Sequence, residues 1–255
     1  LSLVGSEMCI RDSGLTFMLT VGDNFYPAGV DSADDDPWQD AFEEVYDDPA
    51  LRVPVYATLG NHDYKGEPDA QIDYGRTHPR WIMPARYYDF VRTLADGTTA
   101  HFFALDSTPL ETAGAGADAQ LAWLEAALAG SRARWKIVFG HHPVHGPSGR
   151  GMRLLEPLLA KHEVDLYLAG HDHVLRLLRP RDGVHLVTSG SGAGLNLSTH
   201  AEWTAETLYA STGGGFAAVR VGRDELVIEF VRLDGETQFA HVIHEATVPD
   251  AATGD

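Results

Sequence analysis

Short apolar runs that end in glycine recur along the chain, at residues 15–21, 53–59, 135–139 and 165–169. Runs of this length predict buried strands that deliver loops to one edge of a sheet. Between them, Trp38, Ala41, Phe42, Val45 and Tyr46 fall at helical spacing. So do Leu121, Leu124 and Leu128, in a segment with Asp118 near its start and Gly130 at its end. Further strands are predicted over 87–91 and 100–105, turning through Asp96-Gly97, and a helix over 152–162. Beyond residue 173 the pattern becomes strand after strand, over 174–178, 184–188, 216–221, 226–233 and 239–244. Gly222-Arg223-Asp224 and Asp234-Gly235 supply the turns between the last three. Alternating strands and helices followed by a run of strands predict an α/β (α+β) fold of two packed mixed sheets flanked by helices. No repeat or linker divides the chain, and the tail 247–255 is expected to be disordered.

Composition narrows the partners. The 255 residues are enough for one large domain with a well-buried core. The formal charge of −18, from 37 acidic and 19 basic residues, argues against nucleic acid and against an anionic membrane. Much of the acid falls in 31–36 and 43–48, which reads as solvated surface. No apolar run approaches the roughly 20 residues of a membrane span. Cys9 is the single cysteine, so no internal disulfide is possible.

The four leading runs open onto Gly22-Asp23-Asn24-Phe25-Tyr26, Gly60-Asn61-His62-Asp63, Gly140-His141-His142 and Gly170-His171-Asp172-His173. Loops at the carboxyl ends of strands are where open α/β sheets place their chemistry. A carboxylate, a phenol, an amide and several imidazoles form a metal-ligand set. Singly, Asp23 and Asn61 read as turn or cap residues, and His62, His171 and His173 as packing or surface histidines. Four such loops in series reverse that reading and indicate a metal centre.

The order GDNFY, GNHD, GHHPV, GHDH resembles the calcineurin-like metallophosphoesterases. Tyr26, three residues after Asp23, resembles the purple, tartrate-resistant type of acid phosphatase in particular. The resemblance extends from about residue 14 to 244, through wording such as Gln120-Leu121-Ala122-Trp123-Leu124 and His145-Gly146-Pro147. It implies a four-layer αββα sandwich and a dinuclear centre that hydrolyses phosphate monoesters by attack of a metal-bound hydroxide. By the same resemblance Asp23 bridges both ions, and Tyr26 and His173 bind Fe(III). Asn61, His141 and His171 then bind a second, divalent metal (Fe, Zn or Mn). A phenol with an ordinary pKa of about 10 binds in acid only to a strongly Lewis-acidic ion, which favours Fe(III) beside Tyr26. His62 and His145 match the family's imidazoles that contact phosphate and protonate the leaving alkoxide. His145 stands closer to His141 than its counterpart does in the animal enzymes. The Gly/Ala-rich stretch 110–117 stands where those enzymes carry a longer regulatory loop.

The resemblance also implies small phosphorylated substrates and favours a periplasmic or secreted location. A phosphodiesterase or nucleotidase of the same superfamily is the alternative, against which Tyr26 weighs, since a redox-inert metal pair needs no phenolate. Residues 1–13 resemble a translated sequencing adapter and are expected to be a non-native leader, with the catalytic domain over 14–246. The family opens with a strand ending in Asp-x-Gly whose Asp is a ferric ligand. Asp12-Ser13-Gly14 copies that lettering, but Gly14 lies only nine positions before Asp23. The domain is therefore expected to lack its first strand, which makes an inactive fragment the competing reading from a different class. Asn196-Leu197-Ser198 satisfies a glycosylation sequon and is read as incidental.

Overall fold

A computed structural model describes residues 14–146, 151–193 and 203–244. The leader 1–13, the sequon 196–198 and the tail 247–255 lie outside the described residues. The first two apolar runs form β1 (Met18–Leu19) and β2 (Val55–Tyr56), which pair in parallel with β3 (Trp81–Ile82). The central runs form a seven-stranded mixed sheet. Its members are β4 (Tyr88–Thr93), β5 (Thr99–Ala104), β6 (Trp135–Phe139), β7 (Leu166–Ala169), β8 (Leu175–Arg181), β9 (Val184–Ser189) and β10 (Thr207–Ser211). They lie in the order β10-β8-β9-β7-β6-β5-β4. β5, β6, β7 and β9 are parallel neighbours. Strands covered on both faces need apolar residues throughout, and every residue of β7 is buried. β11 (Gly215–Val221), β12 (Glu225–Arg232) and β13 (Thr237–His244) form an antiparallel sheet.

The two faces of the large sheet carry different cores. On one, Phe102, Ile137, Phe139 and Leu168 pack with Val55 and Trp81 of the first sheet and with Leu226, Ile228 and Phe230 of the third. The expected pair of sheets thus takes the form of three hydrogen-bonded sheets, with both smaller ones on the same face of the large one. On the other face, Phe103, Val138 and Tyr167 meet a helical layer. Leu110 comes from α2 (Ser107–Thr112), Leu124 and Leu128 from α3 (Ala117–Gly130), and Leu159 from α4 (Glu156–Lys161). Leu124 and Leu128 are one helical turn apart and fully enclosed, so either truncated to Ala would cost about 2–5 kcal/mol. Beyond the first sheet, α1 (Asp69–Thr77) lends Tyr74 to the core, where it stacks on Trp38 at 3.5 Å.

Two predicted helices came out shorter. The stripe from Trp38 to Tyr46 forms only a five-residue π-helical turn, Gln39–Glu43. The segment 152–162 divides into a 3-10 turn, Gly151–Leu155, and the short α4. Pro157 explains the division. It has no N–H to donate and its ring clashes with a preceding helical carbonyl, so it is accepted only in a first turn.

Candidate metal centre

The four polar loops follow β1, β2, β6 and β7, so two spring from the three-stranded sheet and two from the seven-stranded one. Cross-links hold their bases together. His141 Nδ1 donates to the Val21 carbonyl at 2.8 Å, and the Gly170 amide donates to the His141 carbonyl at 2.9 Å. Close approach dictates glycine at two positions. A Cβ on Gly60 would lie 2.3 Å from the Asp23 nitrogen, and one on Gly22 would lie 2.7 Å from the Gly60 nitrogen. Asp23 (φ 52°) and His171 (φ 59°) both occupy left-handed backbone conformations, which are uncommon for side-chain-bearing residues.

The structure brings six of the eight predicted site residues into one cluster. His141 Nε2, His171 Nδ1 and Asn61 Oδ1 form a triangle with edges of 3.0, 2.9 and 3.1 Å. Cis ligands at about 2.1 Å in an octahedral shell stand about 3.0 Å apart, so this donor set fits a divalent cation. Asp23 Oδ2 lies 3.3 Å from His141 Nε2 and accepts a 2.9 Å hydrogen bond from Tyr26 Oη. Tyr26 Oη in turn lies 3.2 Å from His173 Nε2. Asp23 thus adjoins both groups of donors, which suits a carboxylate shared between two ions.

Electrostatics agree with that placement. Burial works to raise the Asp23 carboxyl, but His141, the His62 amide and Tyr26 outweigh it and hold the group well below the ordinary carboxylate range. Burial, then the Asp23 charge, pushes the Tyr26 phenol far above its ordinary value. Burial lowers His171 to about 4 and also lowers His173, which favours the neutral imidazoles with lone pairs to offer. The His141 Nδ1–H, held by Val21, leaves Nε2 as the atom facing the cluster.

His62 stands at the rim. Its amide donates to Asp23 Oδ1 at 2.7 Å, its Nδ1 donates to the Pro27 carbonyl at 2.6 Å, and its ring lies 4.5 Å from that of Tyr26. Lys65 Nζ sits 3.3 Å from His62 Nε2. His145 is placed differently from the others. Its Nε2 is taken by Glu156 Oε1 at the start of α4, and its hydrogen-bonding nitrogen faces that carboxylate.

Several supporting residues escaped the sequence reading. Asp63 is fully enclosed, and its carboxylate accepts the backbone amides of Asn24, Phe25 and Gly60. Ser107 Oγ accepts the amides of His141 and His142 at 3.1 and 3.0 Å and bonds His142 Nδ1 at 2.8 Å. His142 itself lies close to the donors, within 4.8 Å of His141 and His171. Arg176, from β8, grips Asp172 Oδ2 at 2.9 Å and the His145 carbonyl at 3.0 Å, joining two of the loops. Asp63 and His142 sat within recognised motifs, and nothing in the local pattern marks Ser107 or Arg176 as supports.

Known proteins point the same way. Residues 7–175 match the family described as calcineurin-like phosphoesterase. The chain is 34% identical to the tartrate-resistant acid phosphatase type 5 of Rattus norvegicus, over 90% of this chain and 79% of the relative. It is 32% identical to purple acid phosphatase 4 of Arabidopsis thaliana, over 92% of this chain and 74% of that protein. Among solved structures, GAP50, the anchor in the inner membrane complex of Plasmodium, superposes with a TM-score of 0.79 at 26% identity, covering 93% of this chain and 81% of that one. The purple acid phosphatase PPD1 of yellow lupin seeds shares the fold, with a TM-score of 0.68 at 17% identity over 92% of this chain and 48% of that one. The chain belongs to the calcineurin-like phosphoesterase family.

Proposed function

We propose that this chain is a metal-dependent acid phosphatase that hydrolyses small phosphate monoesters, with 14–246 as its catalytic domain. The observation that carries the reading is the shared place of Asp23 Oδ2 between two groups of donors. Asn61, His141 and His171 would hold the divalent ion, and Tyr26 and His173 the ferric one. Two ions so held would neutralise the phosphate and activate water in acid. Displacing the proton of a phenol held as tightly as that of Tyr26 calls for a strong Lewis acid, which supports Fe(III) beside it.

The remaining steps belong to this chain's own groups. The Pro27 carbonyl accepts from His62 Nδ1 and orients the ring, so Nε2 is the atom that would carry the proton to be transferred. From there it passes to the leaving alkoxide, which would otherwise depart as a strong base. Lys65, beside the same ring, adds positive charge where the phosphate oxygens gather. A periplasmic or secreted setting belongs to the same reading.

The test is metal analysis of the purified protein together with phenyl phosphate hydrolysis at acid pH. Two ions per chain, one of them iron, and turnover lost on chelation are expected. A chain with two bound ions and no phosphatase activity would overturn the proposal.

A further inference from the structure

His171 and His173 stand two positions apart yet face different donor groups. His171 Nδ1 points to Asn61 and His141, whereas His173 Nε2 points to Tyr26. Whatever fixes the backbone between them therefore fixes both halves of the centre. Residues 170–174 belong to no strand, since β7 ends at Ala169 and β8 begins at Leu175. Their own amide contacts are short-range, from Asp172 to the Gly170 carbonyl at 2.7 Å and from Val174 to the Asp172 carbonyl at 2.6 Å. The loop needs support from outside itself.

Arg176 offers that support from a rigid root. On β8 it stands opposite Thr188 of β9 on one side and Ala210 of β10 on the other. Its Nη2 donates to Asp172 Oδ2 at 2.9 Å and to the His145 carbonyl at 3.0 Å. The two side chains are 6% and 10% exposed, so both charges are withdrawn from water and each depends on the other. The chain closes tightly over the pair. A Cβ on Gly146 would lie 2.5 Å from Asp172 Oδ2 and 2.6 Å from Arg176 Nη2. One on Gly190 would lie 2.3 Å from the Asp172 carbonyl oxygen. Asp172 is thus gripped at its side chain by Arg176 and confined at its main chain by Gly190.

We propose that Arg176 is a positioning residue for the metal centre. By holding the Asp172 carboxylate it orients the flanking His171 and His173 towards two different ions, and through the His145 carbonyl it ties their loop to the one that bears His141. The proposal rests on the metal-centre reading and deepens it. An ion pair that served stability alone would leave the folded protein's affinity for metal unchanged.

The test is calorimetric titration of the metal-free protein with Zn²⁺, comparing Arg176→Met with Leu128→Ala. Leu128 lies in the helical layer and in none of the donor loops, so its truncation lowers stability without touching the proposed clamp. Arg176→Met is expected to bind zinc about 10- to 100-fold more weakly, the usual effect of removing a group behind a metal ligand, while Leu128→Ala binds as the parent does. Should Arg176→Met fail to fold, the double variant Arg176→Met/Asp172→Asn leaves no uncompensated buried charge yet still lacks the clamp, and the same weakening is expected of it. Long-range ¹H–¹⁵N spectra of the metal-free protein add a readout that needs no metal: the ring signals of His171 and His173 should move in the Arg176 variant and stay in place in Leu128→Ala. Parental zinc affinity in a folded Arg176 variant, or equal weakening in Leu128→Ala, overturns the proposal. A parent protein that takes up no zinc would instead count against the metal-centre reading, and the ring signals would then judge the clamp, unmoved signals overturning it.

Discussion

The carboxylate of Asp63 takes the backbone amide of Asn24 between its two oxygens, at 3.1 and 3.2 Å. One residue of the GNHD loop thereby sets the path of the GDN loop that carries Asp23 and Tyr26. It also accepts the Gly60 amide at 2.8 Å, so both loops turn about a single buried group. Asp63→Asn would set an NH₂ against those amides. A loss of about 3 kcal/mol is expected, since at least one buried donor is left unpaired in a polar knot. Chemical denaturation measures it, and a variant as stable as the parent would refute the role.

Tyr26 is 38% exposed, and among the described residues its hydroxyl bonds only cluster members. Tyr26→Phe should therefore keep the fold while abolishing the visible charge-transfer band expected of a phenolate on Fe(III). Persistence of the band in a folded, iron-loaded variant would remove Tyr26 from the ligand set.

Asp23 and His62 should separate by readout. Asp23→Ala is expected to lose bound metal and nearly all activity, because the carboxylate adjoins both donor groups. His62→Ala should keep its metal and lose turnover by roughly 10²–10⁴-fold, the usual contribution of a general acid. Equal metal loss in the two variants would contradict the assignment.

His142 makes the stability of the metal-free protein depend on pH. Burial, then the charges of His141 and His171, lowers its pKa from 6.5 to about 3. Between those values the unfolded chain binds more protons than the folded one, so stability rises with pH across the window. The contribution is complete above about 6.5 and disappears as pH falls towards 3; it is on the order of a few kcal/mol. His142→Gln should flatten the slope between pH 6.5 and 4 in thermal melts. An unaltered slope would show that other groups govern it.

The donor loops were legible because each is a short run of chemically distinctive residues directly after a buried strand. Asp23, Tyr26, Asn61, His141, His171 and His173 needed no knowledge of distant contacts. Arg176 and Ser107 did, since their partners come from other loops and their own neighbourhoods look ordinary. His145 shows the reverse case. The lettering around it matched a phosphate-contacting imidazole, whereas its nitrogen engages Glu156, eleven positions away. Strand length was the least legible quantity. The runs 15–21 and 53–59 pair as ladders of only two residues each, because their remaining apolar positions serve the core outside regular strands. β3 and β10 lacked a clear alternating signal and were not anticipated.

The donors hang from two separate sheets, Asp23 and Asn61 from one and His141, His171 and His173 from the other. Ions shared between them would act as rivets through a seam that few backbone bonds cross. Metal binding to the folded state would then stabilise the seam itself as well as the site. Stripped of metal, the protein should open along this line first. Amide hydrogens of β1 and β2 should exchange early while those of β6 and β7, in the middle of the large sheet, remain protected.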